Sequence, residues 1–301
     1  MTAPGLRKLF NLSDPATFLE KHWPDKMLVA RGPVERLAGL VDYDFDALVA
    51  MKKRYTRAFF RSVTGGASSM PVTEGQEHSL YNAGFTLYFH SLKERRLDTW
   101  IDALDRELGL VRGATRVSAV ASRRGVGLKP HYDQNDNFVC QAQGVKRWRI
   151  APNTHVRNPT VGYTVGDKPT AKQASEAPNG FPKDLPTPFE TVELDPGTVM
   201  FMPRGMWHDT ETIDTASLHF NLQCGLATWK DVLEFVLPGT TALHDDALRE
   251  PVQDLLAADQ NATMEEQLRE KLQFLFDAIS GGDLHIDREA LFRFIAQRRG
   301  A

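Results

Sequence analysis

The chain has little cysteine, no long apolar run and almost no charge imbalance. Its 301 residues contain two cysteines and no apolar run near the roughly 20 residues that a membrane helix requires. The formal net charge of −3 gives no electrostatic sign of a nucleic-acid-binding protein. Residues 1–8 lack the apolar core of a signal peptide. We therefore expect a cytoplasmic protein with no membrane segment and no direct nucleic-acid binding.

The two cysteines indicate thiols rather than a disulfide framework. Cys140 and Cys224 both lie inside apolar, strand-like segments. Buried thiols of this kind are typical of a reducing compartment, although one disulfide between them is the alternative.

Hydrophobic patterning divides the chain into three regions. Residues 1–114 mix helix and strand signals, residues 115–229 show short strands separated by turns such as Asp195-Pro196-Gly197, and residues from 230 onward have helical spacing. Many short antiparallel strands with helical additions predict a mainly β fold of the jelly-roll (cupin) type. We expect one domain over 1–229, with its β core at about 115–229, and a separate helical region over 230–301.

Two segments have more than one interpretation. Residues 152–190 are polar and contain seven prolines, which indicates either a solvated insertion or a lid over a site. Residues 52–61 interleave basic and aromatic residues, which predicts either the solvated face of a helix or a patch that binds ribosomal RNA or an acidic peptide.

The triplet His131-Tyr132-Asp133 is the strongest chemical signal in the chain. In a strand, side chains alternate with period two, so His131 and Asp133 lie on the same side. Two imidazoles and one carboxylate are the donor set that holds a non-haem Fe(II) and leaves positions open, and His208 could be the second imidazole. By itself the triplet is weak, because a surface histidine near an aspartate is common.

Lys146 and the strand at 217–223 each have a purely structural and a functional interpretation. Lys146 shares a face with Trp148 and Ile150, so it either reaches the barrel rim or meets an anion such as a dicarboxylate. In the strand, Ser217, His219 and Asn221 alternate with apolar residues. These polar side chains therefore face either solvent or a polar barrel interior.

The segment 131–149, together with Pro203-Arg204-Gly205 and His208, resembles the JmjC-type oxygenases that use Fe(II) and 2-oxoglutarate. It is most similar to the bacterial ribosomal oxygenases of the cupin-4 group and to the asparaginyl hydroxylase of hypoxia-inducible factor. The resemblance is strong over about 115–225, weaker before it, and rests only on a helical tail after 230. That tail resembles the family's dimerisation region, which implies a homodimer formed through 230–301.

The resemblance implies a role for nine residues. The iron ligands fall on His131, Asp133 and His208, and the cation for the far carboxylate of 2-oxoglutarate falls on Lys146. Asparagines near the co-substrate fall on Asn137 and Asn221. The family's threonine three residues before the first ligand is Leu128 here, so the hydroxyl contact must come from elsewhere, and the candidates are Ser122, Ser217 and Tyr88.

The implied activity is the hydroxylation of an amino-acid side chain, with Fe(II), 2-oxoglutarate and O2, in a protein or peptide. Hydroxylation of a free amino acid or biosynthetic peptide and removal of N-methyl groups are alternatives within the same chemistry. A cupin that uses its metal without 2-oxoglutarate, or a non-catalytic metal-binding scaffold, is the alternative outside it.

Overall fold

The computed structural model describes residues 5–53, 55–60, 69–239, 261–280 and 287–300. The chain forms two compact units, Met1–Leu226 and Ala227–Ala301. The first unit contains every strand described, and the described residues of the second unit include three α-helices.

Two antiparallel sheets build the first unit. The strands are β1 (Leu28–Ala30), β2 (Tyr55–Phe59), β3 (Ser69–Pro71), β4 (Thr86–His90), β5 (Thr115–Arg123), β6 (His131–Tyr132), β7 (Asp136–Gln143), β8 (Lys146–Ala151), β9 (Tyr163–Thr164), β10 (Glu190–Leu194), β11 (Val199–Met202), β12 (Trp207–Thr212) and β13 (Ala216–Cys224). The larger sheet has the order β1-β11-β7-β13-β5-β4-β2-β3 and the smaller one β10-β8-β12-β6-β9. This arrangement confirms the predicted jelly roll.

Short helices cover the outer face of the larger sheet. They are α1 (Leu6–Phe10), α2 (Ala16–Lys21), α3 (Phe45–Ala50), α4 (Glu77–Asn82) and α5 (Arg95–Glu107), with a 3-10 turn at Val34–Leu37. The main core joins their apolar side chains to the outward residues of β5, β7 and β13, including Leu218, Phe220 and Leu222. Both cysteines are buried and free, as the sequence predicted.

The polar side chains of β13 face the space between the sheets. Ser217, His219 and Asn221 are at most 7% exposed, while the alternating apolar residues pack under the helices. The ring of His219 contacts Trp148 of the opposite sheet, with centroids 5.5 Å apart. The interior interpretation of this strand is therefore correct, and the half-exposed one is wrong.

The turn at Gly144 connects β7 of the larger sheet to β8 of the smaller sheet. This residue has φ +65°, and an added Cβ would lie 1.8 Å from the carbonyl oxygen of Ala216. Only glycine tolerates both conditions. The turn sets the phase of β8, so that Lys146, Trp148 and Ile150 face inward, whereas Arg147 and Arg149 face outward and form ion pairs with Glu193 and Asp209.

The segment 152–190 packs against the protein rather than standing free in solvent. Residues 163–164 pair with β6 as β9, and helix α6 (Ala171–Glu176) follows. The rings of Tyr163 and Phe181 stack at 3.7 Å, and Tyr163 belongs to a buried cluster with Tyr132 and Trp207. The segment therefore supports the strands that carry His131 and His208.

The described residues of the basic segment, 52–53 and 55–60, are not helical, so the expected helix is wrong there. Residues Tyr55–Phe59 form β2, because they pair with β4 on one side and β3 on the other. Lys53 donates to the backbone oxygen of Val49, and Arg57 donates to the hydroxyl of Ser69. Arg54 and Arg61 lie outside the described residues.

The described residues of the second unit are mainly helical, as predicted for the chain from 230 onward. Its helices are α7 (Trp229–Val236), α8 (Asn261–Ser280) and α9 (Arg288–Gly300), and Phe235 contacts Phe294. Among the described helices of the whole chain, none combines the length and apolar character needed to cross a membrane.

Candidate active site

Three side chains of the smaller sheet and its neighbouring loop converge in the space between the sheets. One ligand-capable atom from each of His131, Asp133 and His208 lies within 4.8 Å of the others. The convergence follows from register, since His131 on β6 pairs directly with His208 on β12. Among the described residues, no other group of three histidine, cysteine or acidic side chains meets in this way.

The turn before β12 is hydrogen-bonded to the segment that carries Asp133. The backbone N–H of Gly205 donates to the carbonyl oxygen of Asp133 at 2.8 Å. The N–H of Arg204 donates to the Asp136 carboxylate at 2.9 Å. These two bonds bring the start of β12 beside the first two candidate ligands, which is how a residue 75 positions later in the chain joins them.

The imidazoles are held in the tautomer that a metal needs. Nδ1 of His131 donates to the backbone oxygen of Lys129 at 2.7 Å, and Nδ1 of His208 donates to that of Met206 at 3.0 Å. Each Nε2 is therefore left with a free lone pair. Burial, followed by the effect of His131, lowers the pKa of His208 to about 3, so its ring is neutral near pH 7.

Asn137 and Asp136 support the carboxylate side of the triad. Nδ2 of Asn137 donates to the Asp133 carboxylate at 2.8 Å and fixes its orientation. Burial raises the pKa of Asp136 to about 6, against the opposing effect of Arg204.

Lys146 is a fully buried cation without an anionic partner among the described residues. Its Nζ donates to the Ser122 hydroxyl at 2.8 Å, and that hydroxyl lies 2.8 Å from the hydroxyl of Thr212. Burial lowers the pKa of Lys146 to about 7. A buried ammonium that contacts only hydroxyl groups is costly unless an anion joins it.

No described hydrogen bond joins Lys146 to Ser217 or Tyr88, although Ser217 is directly opposite Ser122 in the sheet. Ser217 accepts a hydrogen bond from Gln141 at 2.9 Å. The Tyr88 hydroxyl lies close to the side chains of Ser118, Asn221 and Gln223. Of the three, Ser122 is the hydroxyl that contacts Lys146.

Sequence reasoning missed Thr212 and the group around Tyr88. Thr212 follows His208 by four residues on the same strand, so period-two alternation places both on one face. That signal was present in the sequence. Ser118 on β5 donates to the side-chain carbonyl of Gln223 on β13 at 3.1 Å. No local sequence pattern predicts that contact.

Comparisons with known proteins identify a matching domain family and related sequences. A model of the JmjC domain matches residues 93–232. The protein YxbC of Bacillus subtilis is 32% identical over 250 residues, which cover 77% of this chain and 75% of YxbC. Ribosomal oxygenase 1 of Rattus norvegicus is 30% identical over 164 residues, which cover 53% of this chain and 25% of that protein.

The fold also occurs in a solved structure. The Escherichia coli ribosomal oxygenase YcfD, in complex with cobalt and 2-oxoglutarate, matches with a TM-score of 0.51 and 17% identity, over 92% of this chain and 73% of that one. At that identity the match concerns the fold. Taken with the JmjC match and the relationship to YxbC, it leads to one assignment: the chain belongs to the JmjC-domain family of Fe(II)- and 2-oxoglutarate-dependent oxygenases.

Proposed function

We propose that the protein hydroxylates an amino-acid side chain within a protein or peptide, with iron held by His131, Asp133 and His208. The observation that carries the proposal is the pairing of this triad with the buried, uncompensated Lys146 on one inner face. Lys146 is opposite Thr212 on β12, and Thr212 is four residues from His208 on the same strand, which corresponds to about 13 Å. A metal-chelating dicarboxylate and an extended lysine side chain can bridge that distance together.

The residues present fit an iron centre. Two imidazoles and one carboxylate form the two-histidine, one-carboxylate set that suits non-haem Fe(II). Backbone oxygens fix both imidazoles, and Asn137 fixes the carboxylate, so each ligand has the support that metal-binding residues usually have.

The residues around Lys146 fit the far carboxylate of 2-oxoglutarate. The ammonium supplies the charge, while Ser122 and Thr212 supply hydroxyl donors beside it. The family's missing threonine at Leu128 is thus replaced by hydroxyls from two other strands. Asn137 would influence co-substrate binding through its hydrogen bond to Asp133.

The chemistry needs the chain chiefly to bind, orient and exclude water. When bound, Fe(II) lets O2 oxidise 2-oxoglutarate to succinate and CO2 while one oxygen atom becomes the hydroxyl of the substrate. His131, Asp133 and His208 would hold the iron and would leave other coordination positions open for ligands. Trp148, 3% exposed and stacked at 5.5 Å on His208, keeps water from that side of the ring.

A protein substrate is supported by the names of similar proteins. Ribosomal oxygenase 1 and YcfD are both called ribosomal oxygenases, which favours a protein component as the substrate here too. The chain spans about a quarter of ribosomal oxygenase 1, so its own target requires an experiment.

Size fractionation separates a protein substrate from a small one. The purified protein is incubated with Fe(II), 2-oxoglutarate and 18O2, plus either the macromolecular or the small-molecule fraction of a cell extract. We expect extra succinate, and peptides carrying 18O by mass spectrometry, with the macromolecular fraction. Stimulation only by the small-molecule fraction would favour a free amino acid as the substrate.

We also propose that the helical unit mediates a homodimer. On α8, the side chains of Leu268, Leu272 and Phe276 follow one another at a spacing of four residues, and each is more than half exposed. An exposed apolar stripe of this kind is typical of an interface. Light scattering should give twice the monomer mass, and changing all three residues to serine should halve it. A monomeric wild type would contradict the proposal.

A further inference from the structure

The inner face of β2 and β4 carries a stack of three aromatic rings that the iron and co-substrate residues do not use. Tyr55 lies on His90 with centroids 4.2 Å apart, and His90 lies on Tyr88 at 4.1 Å. Tyr55, at the outer end, is 45% exposed, and Tyr88, at the inner end, is partly exposed. We call Tyr55, His90 and Tyr88 the ring stack.

The inner end of the ring stack lies on the inner face of the larger sheet, in one row with His219, because Tyr88 is opposite Val120 on β5 and Val120 is opposite His219 on β13. The Asp133 carboxylate contributes to raising the pKa of Tyr88, although burial is the larger cause. The hydroxyl of Tyr88 lies close to the side chains of Ser118, Asn221 and Gln223, and Ser118 donates to the side-chain oxygen of Gln223 at 3.1 Å. Gln223 pairs across the sheet with Asn137, which itself binds Asp133. A polar surface thus runs from Tyr88 to the carboxylate of the triad.

This polar surface has hydrogen-bond acceptors that lack donors. The side-chain oxygens Oδ1 of Asn221 and of Asn137 are buried and have no partner within the described part of the chain, although the two residues are 7% and 2% exposed. Buried acceptors without donors are costly, so a bound group that supplies N–H or O–H donors would be favoured. A carboxylate would instead face further acceptors and the charge of Asp133.

We infer that Tyr88 is a positioning residue for the substrate, and that the ring stack forms the wall along which a peptide segment presents an uncharged or cationic, hydrogen-bond-donating side chain to the triad. The inference rests on the proposed function. It assigns Tyr88 to the substrate rather than to 2-oxoglutarate, which Lys146, Ser122 and Thr212 would hold. Flat rings with one exposed end suit a peptide that enters from solvent.

Replacing Tyr88→Phe tests this, because it removes the hydroxyl and keeps the ring. The matched control is Tyr81→Phe, whose ring stacks on Phe45 outside the barrel. The protein is loaded with Co(II) in place of iron and with 2-oxoglutarate. The probes are the N-acetyl methylamides of asparagine, arginine and glutamate, titrated against the visible absorption of the Co(II).

We expect the asparagine and arginine probes to perturb the wild-type spectrum and the glutamate probe to leave it unchanged. Tyr88→Phe should weaken the two binding probes about fivefold, the value of one neutral hydrogen bond. The same variant should bind 2-oxoglutarate as the wild type does, and Tyr81→Phe should match the wild type throughout. A second variant, Gln223→Glu, adds a negative charge to the surface and should tighten the arginine probe relative to the asparagine probe.

Four results would overturn the assignment: weaker 2-oxoglutarate binding in Tyr88→Phe, equal binding of the glutamate probe, no probe binding by the wild type, or unchanged probe binding in Tyr88→Phe. Failure of the wild type to bind Co(II) and 2-oxoglutarate would overturn the proposed function as well. Normal co-substrate binding with a wrong probe pattern would overturn the role of Tyr88 alone.

Discussion

Replacing His208 with alanine is expected to abolish metal binding at the triad and, with it, the Fe(II)-dependent turnover of 2-oxoglutarate. The neutral imidazole supplies one of three ligand atoms that lie within 4.8 Å of one another, and no other described histidine, cysteine or acidic residue joins that group. Two remaining ligands cannot complete the facial set that Fe(II) requires. Support residues around a metal typically contribute 10- to 100-fold to affinity, so loss of a ligand should exceed about 100-fold.

Titration with Co(II), followed by its visible absorption, measures this effect. The matched control is His78→Ala, because His78 is 56% exposed and contacts Asp46 at the surface. We expect His78→Ala to bind Co(II) as the wild type does. Undiminished Co(II) binding and succinate formation in a folded His208→Ala protein would show that the metal lies elsewhere.

Lys146→Met is expected to weaken 2-oxoglutarate binding by on the order of 100- to 1000-fold while leaving metal binding intact. Methionine has a similar length but cannot pair with a carboxylate. The far carboxylate would then be buried against the hydroxyls of Ser122 and Thr212 without a cation. Calorimetry on the Co(II)-loaded protein measures the affinity, and Lys172→Met, at an exposed position, is the control. Equal affinity of Lys146→Met and the wild type would favour a cupin chemistry without 2-oxoglutarate.

The same interaction predicts a pH dependence. Burial lowers the pKa of Lys146 to about 7 in the free protein, and a bound carboxylate favours the charged form and raises that pKa again. Below pH 7 the ammonium is already charged, so the affinity is constant. Above pH 7 binding must take up a proton, so the affinity should fall several-fold by pH 8 and approach tenfold per pH unit beyond it.

The neighbouring groups His219, Ser122 and Thr212 do not contribute to this pH dependence of 2-oxoglutarate binding. His219, which faces it from β13, has a pKa well below its ordinary value because of burial and the adjacent ammonium, so it stays neutral over this range. Ser122 and Thr212 do not titrate. An affinity that is flat between pH 7 and 9, or that rises, would contradict the assignment of Lys146.

Local alternation explains most of what the sequence could predict. His131 with Asp133, and Lys146 with Trp148, share a face because strand side chains alternate with period two, and that rule needs no knowledge of the partner strands. The same rule could not decide whether Ser217, His219 and Asn221 faced solvent or the interior. Both orientations have the same alternation, and only the helices packed on Leu218, Phe220 and Leu222 decide between them.

Contacts between distant segments account for the rest. The group formed by Lys146, Ser122 and Thr212 joins three strands, so its hydroxyls were predicted only in part. The cluster of Tyr163, Phe181, Tyr132 and Trp207 gives the segment 152–190 a supporting role that its prolines did not reveal. Residues 55–59 form a strand because β3 and β4 flank them, although their charges suggested a solvated helix.

The central claim is that one site binds iron and 2-oxoglutarate and directs O2 to both co-substrate and substrate. The most direct test is an aerobic incubation of the purified protein with Fe(II), 2-oxoglutarate and 18O2, followed by mass spectrometry of the succinate. The account predicts succinate that carries one 18O atom in the wild type, and none above background with His208→Ala or when Fe(II) is chelated. Succinate that lacks 18O, or that forms equally well without His208 or Fe(II), would contradict it.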